Sequence, residues 1–209
     1  MKIIYGTTNK GKVEAMKKIL KEDKIENIEI ETLKDIEFNE EIIEDGKTFE
    51  ENSEIKARAI EKYCKKNNIS YELILTDDAG LCIEKLNGEP GVYSARYAGP
   101  NATQKQILDK ILDKMRQYEN PEDRKCKFVC VLTGILKSGE KIVARGESKG
   151  IVAKEYKNLV GFGFRPIFIP EGFNEVMGNL KNETEKEMHS HRELALRIIF
   201  RKLKDKKLI

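Results

Sequence analysis

Apolar positions along the chain switch between two periods, and that switching predicts the elements. Ile3-Ile4-Tyr5 is a short apolar run with the length of a buried strand. Val13, Met16, Ile19 and Leu20 then recur at helical spacing. A strand is expected near Ile28-Glu29-Ile30, followed by an acidic loop. Thr48 with Glu51 three residues later forms a capping box and opens a second helix. Leu73-Ile74-Leu75 reads as another buried strand, ending at a small-residue turn, Ala79-Gly80. Leu81 and Ile83 alternate with polar neighbours ahead of Asn87-Gly88, a hairpin or meander signal. Thr103 caps a helix with the stripe Ile107, Leu108, Ile111, Leu112 and Met115. Tyr118 to Lys125 is a charged connection containing Pro121. Phe128–Leu136, Lys141–Ala144 and Gly150–Ala153 suggest a three-stranded antiparallel meander, with the first turn at Ser138-Gly139. A last helix begins near His189-Ser190-His191-Arg192, with Leu194, Ala195, Ile198, Ile199 and Leu203 as its buried stripe.

Within this frame four stretches carry chemistry. Gly6-Thr7-Thr8-Asn9-Lys10-Gly11-Lys12 joins the first strand to the first helix. It is not a Walker loop, since GxxxxGK[ST] is absent. Its hydroxyls, amide and lysines at a helix N-terminus suit an anion, and they equally suit a plain helix cap. Asp77-Asp78 places two carboxylates at the end of a buried strand, a costly pairing unless a cation, a proton or a helix end offsets it. Asn52 and Lys56 lie at i, i+4 and share a helix side with Ala59 and Tyr63, more a site wall than a core. Gly161-Phe162-Gly163-Phe164-Arg165 precedes an apolar strand. It fits a stacking platform for a base or a glycine-kinked strand with core phenylalanines, and taken alone it favours the core.

Composition narrows the class. The 209 residues suffice for one substantial core or two joined lobes. Net charge is +3, from 39 basic and 36 acidic residues, too balanced to point to nucleic acid or a membrane. The four cysteines form no CxxC pair and read as small apolar residues in a reducing compartment. His189 and His191 have no third ligand at zinc spacing. No signal peptide or membrane span is expected, so the expected location is cytoplasmic.

Taken in order, the motifs resemble one family. They are Thr7 to Lys12; Thr48-Phe49-Glu50-Glu51-Asn52 with Lys56-Ala57; Asp77-Asp78-Ala79-Gly80-Leu81; Gly91-Val92-Tyr93-Ser94-Ala95-Arg96-Tyr97; Gly161-Phe162-Gly163-Phe164; and Lys186 with Ser190-His191-Arg192. Together they resemble the Ham1/inosine triphosphatase family over nearly the whole chain. The resemblance implies an α/β fold with a long mixed central sheet flanked by helices, in two lobes around a nucleotide-binding cleft. It implies a single ITPase-like pyrophosphatase domain over residues 1–209, typically a homodimer. The implied activity is Mg²⁺-dependent hydrolysis of XTP, ITP and dITP to the monophosphate and pyrophosphate, a house-cleaning of the nucleotide pool.

Residue by residue, the resemblance implies that Thr7, Thr8, Asn9, Lys10, Gly11 and Lys12 cradle the triphosphate, with Asn52 and Lys56 in support. Asp78 would be the general base and a metal ligand, and Ala79 would touch substrate. Glu41 and Glu44 compete to be the second metal ligand, and Glu44, nearer Gly46, is preferred. Phe162, Gly163, Phe164 and Arg165 would line the base pocket, while Lys186, His191 and Arg192 would read the purine's six-position oxygen. Three positions depart from the usual pattern: Thr8 for glycine, Ala79 for serine, and Arg165 for aspartate. Two other readings compete. A Maf-like pyrimidine pyrophosphatase would need an arginine-rich N-terminal motif that is absent. A non-catalytic nucleotide or single-strand RNA binder is disfavoured by the Asp pair, because acids repel phosphates without a metal.

Overall fold

The computed structural model describes residues 1–156, 159, 163–180 and 190–209. Phe162, Lys186 and His189 lie outside the described residues. Six strands form one sheet in the order β2-β1-β3-β4-β5-β6: β1 Lys2–Tyr5, β2 Glu29–Thr32, β3 Leu73–Ile83, β4 Lys125–Leu136, β5 Lys141–Val152 and β6 Phe168–Pro170. Among the described residues four helices accompany it: α1 Lys10–Glu22, α2 Phe49–Lys66, α3 Gln104–Met115 and α4 His191–Asp205. β1 pairs in parallel with β2 and β3, and β5 pairs antiparallel with β6, so the sheet is mixed. The fold is α/β, as expected. Contacts divide the chain into two compact units. The first comprises Met1–Asp78, Cys130–Gly146 and Arg192–Ile209; the second comprises Ala79–Val129 and Glu147–His191.

In the first unit, Ile3, Ile4 and Tyr5 of β1 sit in register with Leu73, Ile74 and Leu75 of β3, all fully buried. Ile4, Ala57, Ile60, Cys64, Ile74 and Ile135 pack together with Ile36, Tyr63 and Tyr71. Both predicted caps form. Thr48 accepts from the Glu51 N–H while Glu51 reaches back to the Thr48 N–H. The last helix buries Ala195, Ile199 and Leu203 as expected, with Leu196 and Phe200 in place of Leu194 and Ile198. Ala195, Leu196, Ile199, Phe200 and Leu203 are buried, while Leu194 is exposed. Apolar residues fill 194–196 and 198–200 alike, so spacing alone fits either face.

In the second unit, α3 lays Ile107, Leu108, Ile111 and Met115 against Leu81, Ile83, Phe128, Val152 and Phe168. Phe128 is the centre of the aromatic packing, with the Phe168 ring 4.6 Å away edge-on. At Gly150 an added Cβ would stand 2.2 Å from the Ile169 carbonyl oxygen, so only glycine lets β6 approach there.

Two strand assignments are corrected. β3 does not end at a turn at Ala79-Gly80; it runs through Asp77, Asp78 and Gly80 to Ile83. Its middle is polar because Thr76 is tied to α2, donating to the Ser53 carbonyl at 2.6 Å. The meander's second and third strands are one strand, β5. Ile142, Ala144, Gly146 and Ser148 face inward and Lys141, Arg145 and Lys149 outward, a period of two that the polar outer residues disguised as a break. The third strand of the antiparallel set is β6.

The connection after α3 hides a buried charge. Arg124 is 3% exposed and donates to four carbonyls: Val152 at 2.7 Å, Met115 at 2.8 Å, and Tyr118 and Ala153 at 2.6 Å each. Burial pulls its guanidinium below its ordinary basicity, and the carbonyl dipoles around the end of α3 offset the charge. Arg124→Met keeps bulk but strips these acceptors of their donor. It should cost about 3–5 kcal/mol, the range for breaking a buried polar network, read as a lowered denaturation midpoint. A loss under about 1 kcal/mol would mean the carbonyls find water instead.

Candidate active site

The loop from β1 to α1 is shaped by its own bonds. The Gly6 N–H donates to the Leu75 carbonyl at 2.7 Å, which ties the loop to β3. Asn9 donates its N–H to the Thr7 hydroxyl and caps α1 by accepting from the N–H groups of Gly11 and Lys12. Thr7 is buried by this folding, while Thr8, Asn9, Lys10 and Gly11 remain exposed. No acid lies in the first turn of α1, so the end of the helix dipole there keeps its positive character.

Behind the loop lies Asp77, whose side chain is 1% exposed. The Lys12 Nζ is 3.0 Å from its Oδ1 and 2.8 Å from its Oδ2. The Tyr5 hydroxyl donates to Oδ1 at 3.3 Å, and Arg192 Nη2 donates to Oδ2 at 3.2 Å. Burial opposes ionisation, but the charges of Lys12 and Arg192 outweigh it and hold the carboxyl well below the usual carboxylate range. Burial, with the Asp77 charge beside it, pushes the Tyr5 phenol well above its ordinary value. A carboxylate this acidic and this surrounded is a poor proton acceptor.

Asp78 is the next residue along the strand, so its side chain leaves the opposite face. Its Oδ2 accepts from Asn52 Nδ2 at 3.2 Å, and Lys56 Nζ lies 3.7 Å from its Oδ1. The same ammonium donates to Glu44 Oε2 at 2.5 Å. Asn52 also accepts from the Gly46 N–H at 2.9 Å, which draws the acidic loop onto α2. An added Cβ on Gly46 would stand 2.7 Å from both Asn52 Oδ1 and Glu51 Cβ, so this approach needs glycine. Glu41 points to solvent, so of the two competing acids Glu44 is the one beside Asp78's partner.

Among the described residues no group of three or more His, Cys, Asp or Glu is ready to hold a metal. Two carboxylates sharing one cation suit magnesium, which takes one or two protein carboxylates and completes its shell with water and phosphate oxygens. Lys56 stands where a cation is wanted.

The second unit holds the rest of the expected set. Ala79 is half-buried. Gly163 has a left-handed φ of 65°, and its carbonyl accepts from Gln104 Nε2 at 2.7 Å. Phe164 is 8% exposed and packs 6.0 Å from Phe128, so its ring belongs to the core. Arg165 is exposed. The His191 ring stacks on Phe128, centroids 4.7 Å apart and planes within 8°. Phe162 and Lys186 fall outside the described residues.

Sequence reasoning missed the Tyr5 hydroxyl, read only as an apolar strand residue, and the engagement of Lys12 with Asp77. A phenol one residue before a lysine-bearing loop was the available signal. It also missed Phe128 as the ring beneath His191.

Known proteins resemble this chain from end to end. A "dITP/XTP pyrophosphatase" of Clostridium perfringens is 38% identical over 204 residues, 98% of this chain and 96% of its own. One from Bdellovibrio bacteriovorus is 39% identical over 203 residues, 97% and 98% of the two chains. Among solved structures, the Staphylococcus aureus Ham1 protein superposes with a TM-score of 0.83 at 31% identity, covering 99% of this chain and all of its own. A HAM1 protein from Coxiella burnetii gives 0.85 at 30% identity, covering 98% and 99%. The Ham1 family matches residues 3–202, and the chain belongs to that family.

Proposed function

We infer that the chain is a dITP/XTP pyrophosphatase, releasing a nucleoside monophosphate and pyrophosphate from non-canonical purine triphosphates. The observation that carries this is end-to-end likeness to relatives of that name, at 38% and 39% identity. The geometry supports it from a second direction, with a lysine-bearing helix N-terminus and a carboxylate pair in one unit. We read residues 1–209 as a single pyrophosphatase domain, working as a homodimer on the cytoplasmic nucleotide pool.

In this reading the lysines of the loop from Thr7 to Lys12 and the positive end of the α1 dipole bind the triphosphate. Asp78 accepts the proton of the attacking water as that oxygen bonds to the α-phosphorus. The bond from the α-phosphorus to the bridging oxygen breaks, and pyrophosphate leaves. Asn52 holds Asp78 in place. Magnesium held by Glu44 and Asp78 would supply positive charge to the phosphates and a more acidic bound water. Arg192 and His191 donate to the purine's keto oxygen; an amino group there would leave donors facing donors. Arg165 stays in solvent and outside the reading of the base.

Three outcomes follow. Chromatography of an ITP digest should show inosine monophosphate and pyrophosphate from the first time point. Accumulation of IDP would move the cleaved bond and sink the assignment. Asp78→Asn should lower turnover by about 10²–10⁴, the worth of a positioned base, with the fold intact by circular dichroism. A variant of near-parental rate would place the base elsewhere. Arg165→Asp should change the preference for ITP over ATP by no more than about 1–2 kcal/mol, the scale of one charged hydrogen bond. A larger change would place the guanidinium against the base.

A further inference from the structure

We propose that Asp77 is a positioning residue that sets two cationic side chains of the active site at once, and that it takes no proton in the reaction. The proposal rests on the activity inferred above. Asp77 is 1% exposed, and its two oxygens receive four contacts from three elements. Lys12, from α1, approaches both oxygens; Tyr5, from β1, donates to Oδ1; Arg192, from α4, donates to Oδ2. The Cys130 thiol of β4 lies near enough to sense the same charge. An attacking water therefore has no open face of this carboxylate to reach. Lys12 and Arg192 are a flexible stem and a long fork, each losing considerable rotamer freedom when fixed. One buried anion limits both. Lys12 belongs to the phosphate-binding loop and Arg192 to the reading of the base. A single substitution at Asp77 should therefore damage phosphate affinity and base selectivity together, although Asp77 touches neither part of the nucleotide. Tyr5 donates in the remaining acceptor direction.

The test has a binding arm and a kinetic arm. Inorganic pyrophosphate with magnesium is titrated by calorimetry into the parent, Asp77→Asn, Lys12→Met and the double variant. Removing a negative charge beside Lys12 would by itself tighten anion binding. The proposal expects the opposite: Asp77→Asn weakens pyrophosphate at least tenfold, and the double variant is within about twofold of Lys12→Met alone. In kinetics with dITP and dATP, KM for dITP rises at least tenfold while kcat falls less than fivefold. The ratio of kcat/KM for dITP over dATP drops at least threefold. Unchanged or tighter pyrophosphate binding, or single effects that multiply in the double variant, overturns the proposal. So does a hundredfold loss of kcat at unchanged KM, which would make Asp77 a base. If Asp77→Asn does not fold, Asp77→Glu takes its place, keeping the charge but displacing it: pyrophosphate binding weakened at least tenfold supports the proposal, and unchanged binding overturns it. A parent that binds pyrophosphate but releases none from dITP fails the assigned activity, while the titration still decides the role of Asp77.

Discussion

The buried carboxylate of Asp77 is the constraint on which the candidate site depends. An ionised carboxylate with 1% of its side chain exposed is tolerable only with cations and donors around it. Lys12 and Arg192 both reach the same oxygen. Their nitrogens are thus no more than about 6 Å apart, where two like charges at an effective dielectric near 20 repel by about 3 kcal/mol. The anion makes that approach favourable, and the approach in turn keeps the anion ionised. Removing Asp77 leaves two neighbouring cations without their anion, while removing either cation leaves a one-to-one pair with part of the carboxylate unsatisfied. β1, α1, β3 and α4 are therefore coupled through a single side chain.

Asp78 shows how much one step along a strand changes. The pleat turns consecutive side chains to opposite faces, so adjacent identical residues meet different neighbours. Asp77 meets permanent cations and a phenol. Asp78 meets an amide and an ammonium that is shared with Glu44. The amide is itself fixed from its other side by the Gly46 N–H. The amide orients the Asp78 carboxylate through one oxygen, and the shared ammonium stands near the other. The different surroundings of the two acids follow from strand geometry and from which helix faces each side.

Much of the fold was legible because helix signals are local. Thr48 with Glu51 and Thr103 with Gln106 close as capping boxes, and the stripes of α1 and α3 bury as their spacing requires. The continuity of β3 and β5 was not legible, for a shared reason. Both carry polar residues in mid-strand, some held by partners distant in sequence, such as Thr76 by Ser53 and Arg145 by Glu50. Sequence proximity cannot reveal such partners, so a buried polar run reads as a turn. The face of α4 was ambiguous because apolar residues fill 194–196 and 198–200 alike. Within the site, the pairing of Asn52 with Lys56 was readable from i, i+4 spacing, and both reach Asp78. Arg124 was unreadable, since a basic residue in a charged connection looks solvated until its four carbonyls are seen.

The departures from the usual family pattern fall where the structure demands little of the side chain. Thr8 and Arg165 are exposed, and Ala79 is half-buried. By contrast Asn9, Lys12, Asn52, Asp77 and Arg192 each hold at least two polar partners or a shared charge. Around Arg165 it is the backbone that is held: the Gly163 carbonyl by Gln104, and the Arg165 carbonyl by the Gly178 N–H. Phe164 between them is fixed by the core. The segment's path is thus set by main-chain bonds and one buried ring, neither of which depends on the side chain at 165. An arginine there, always charged and rich in donors, can remain in water at no cost to the fold. Positions constrained by several partners at once keep their chemistry, and positions constrained only through their backbone are free to change it.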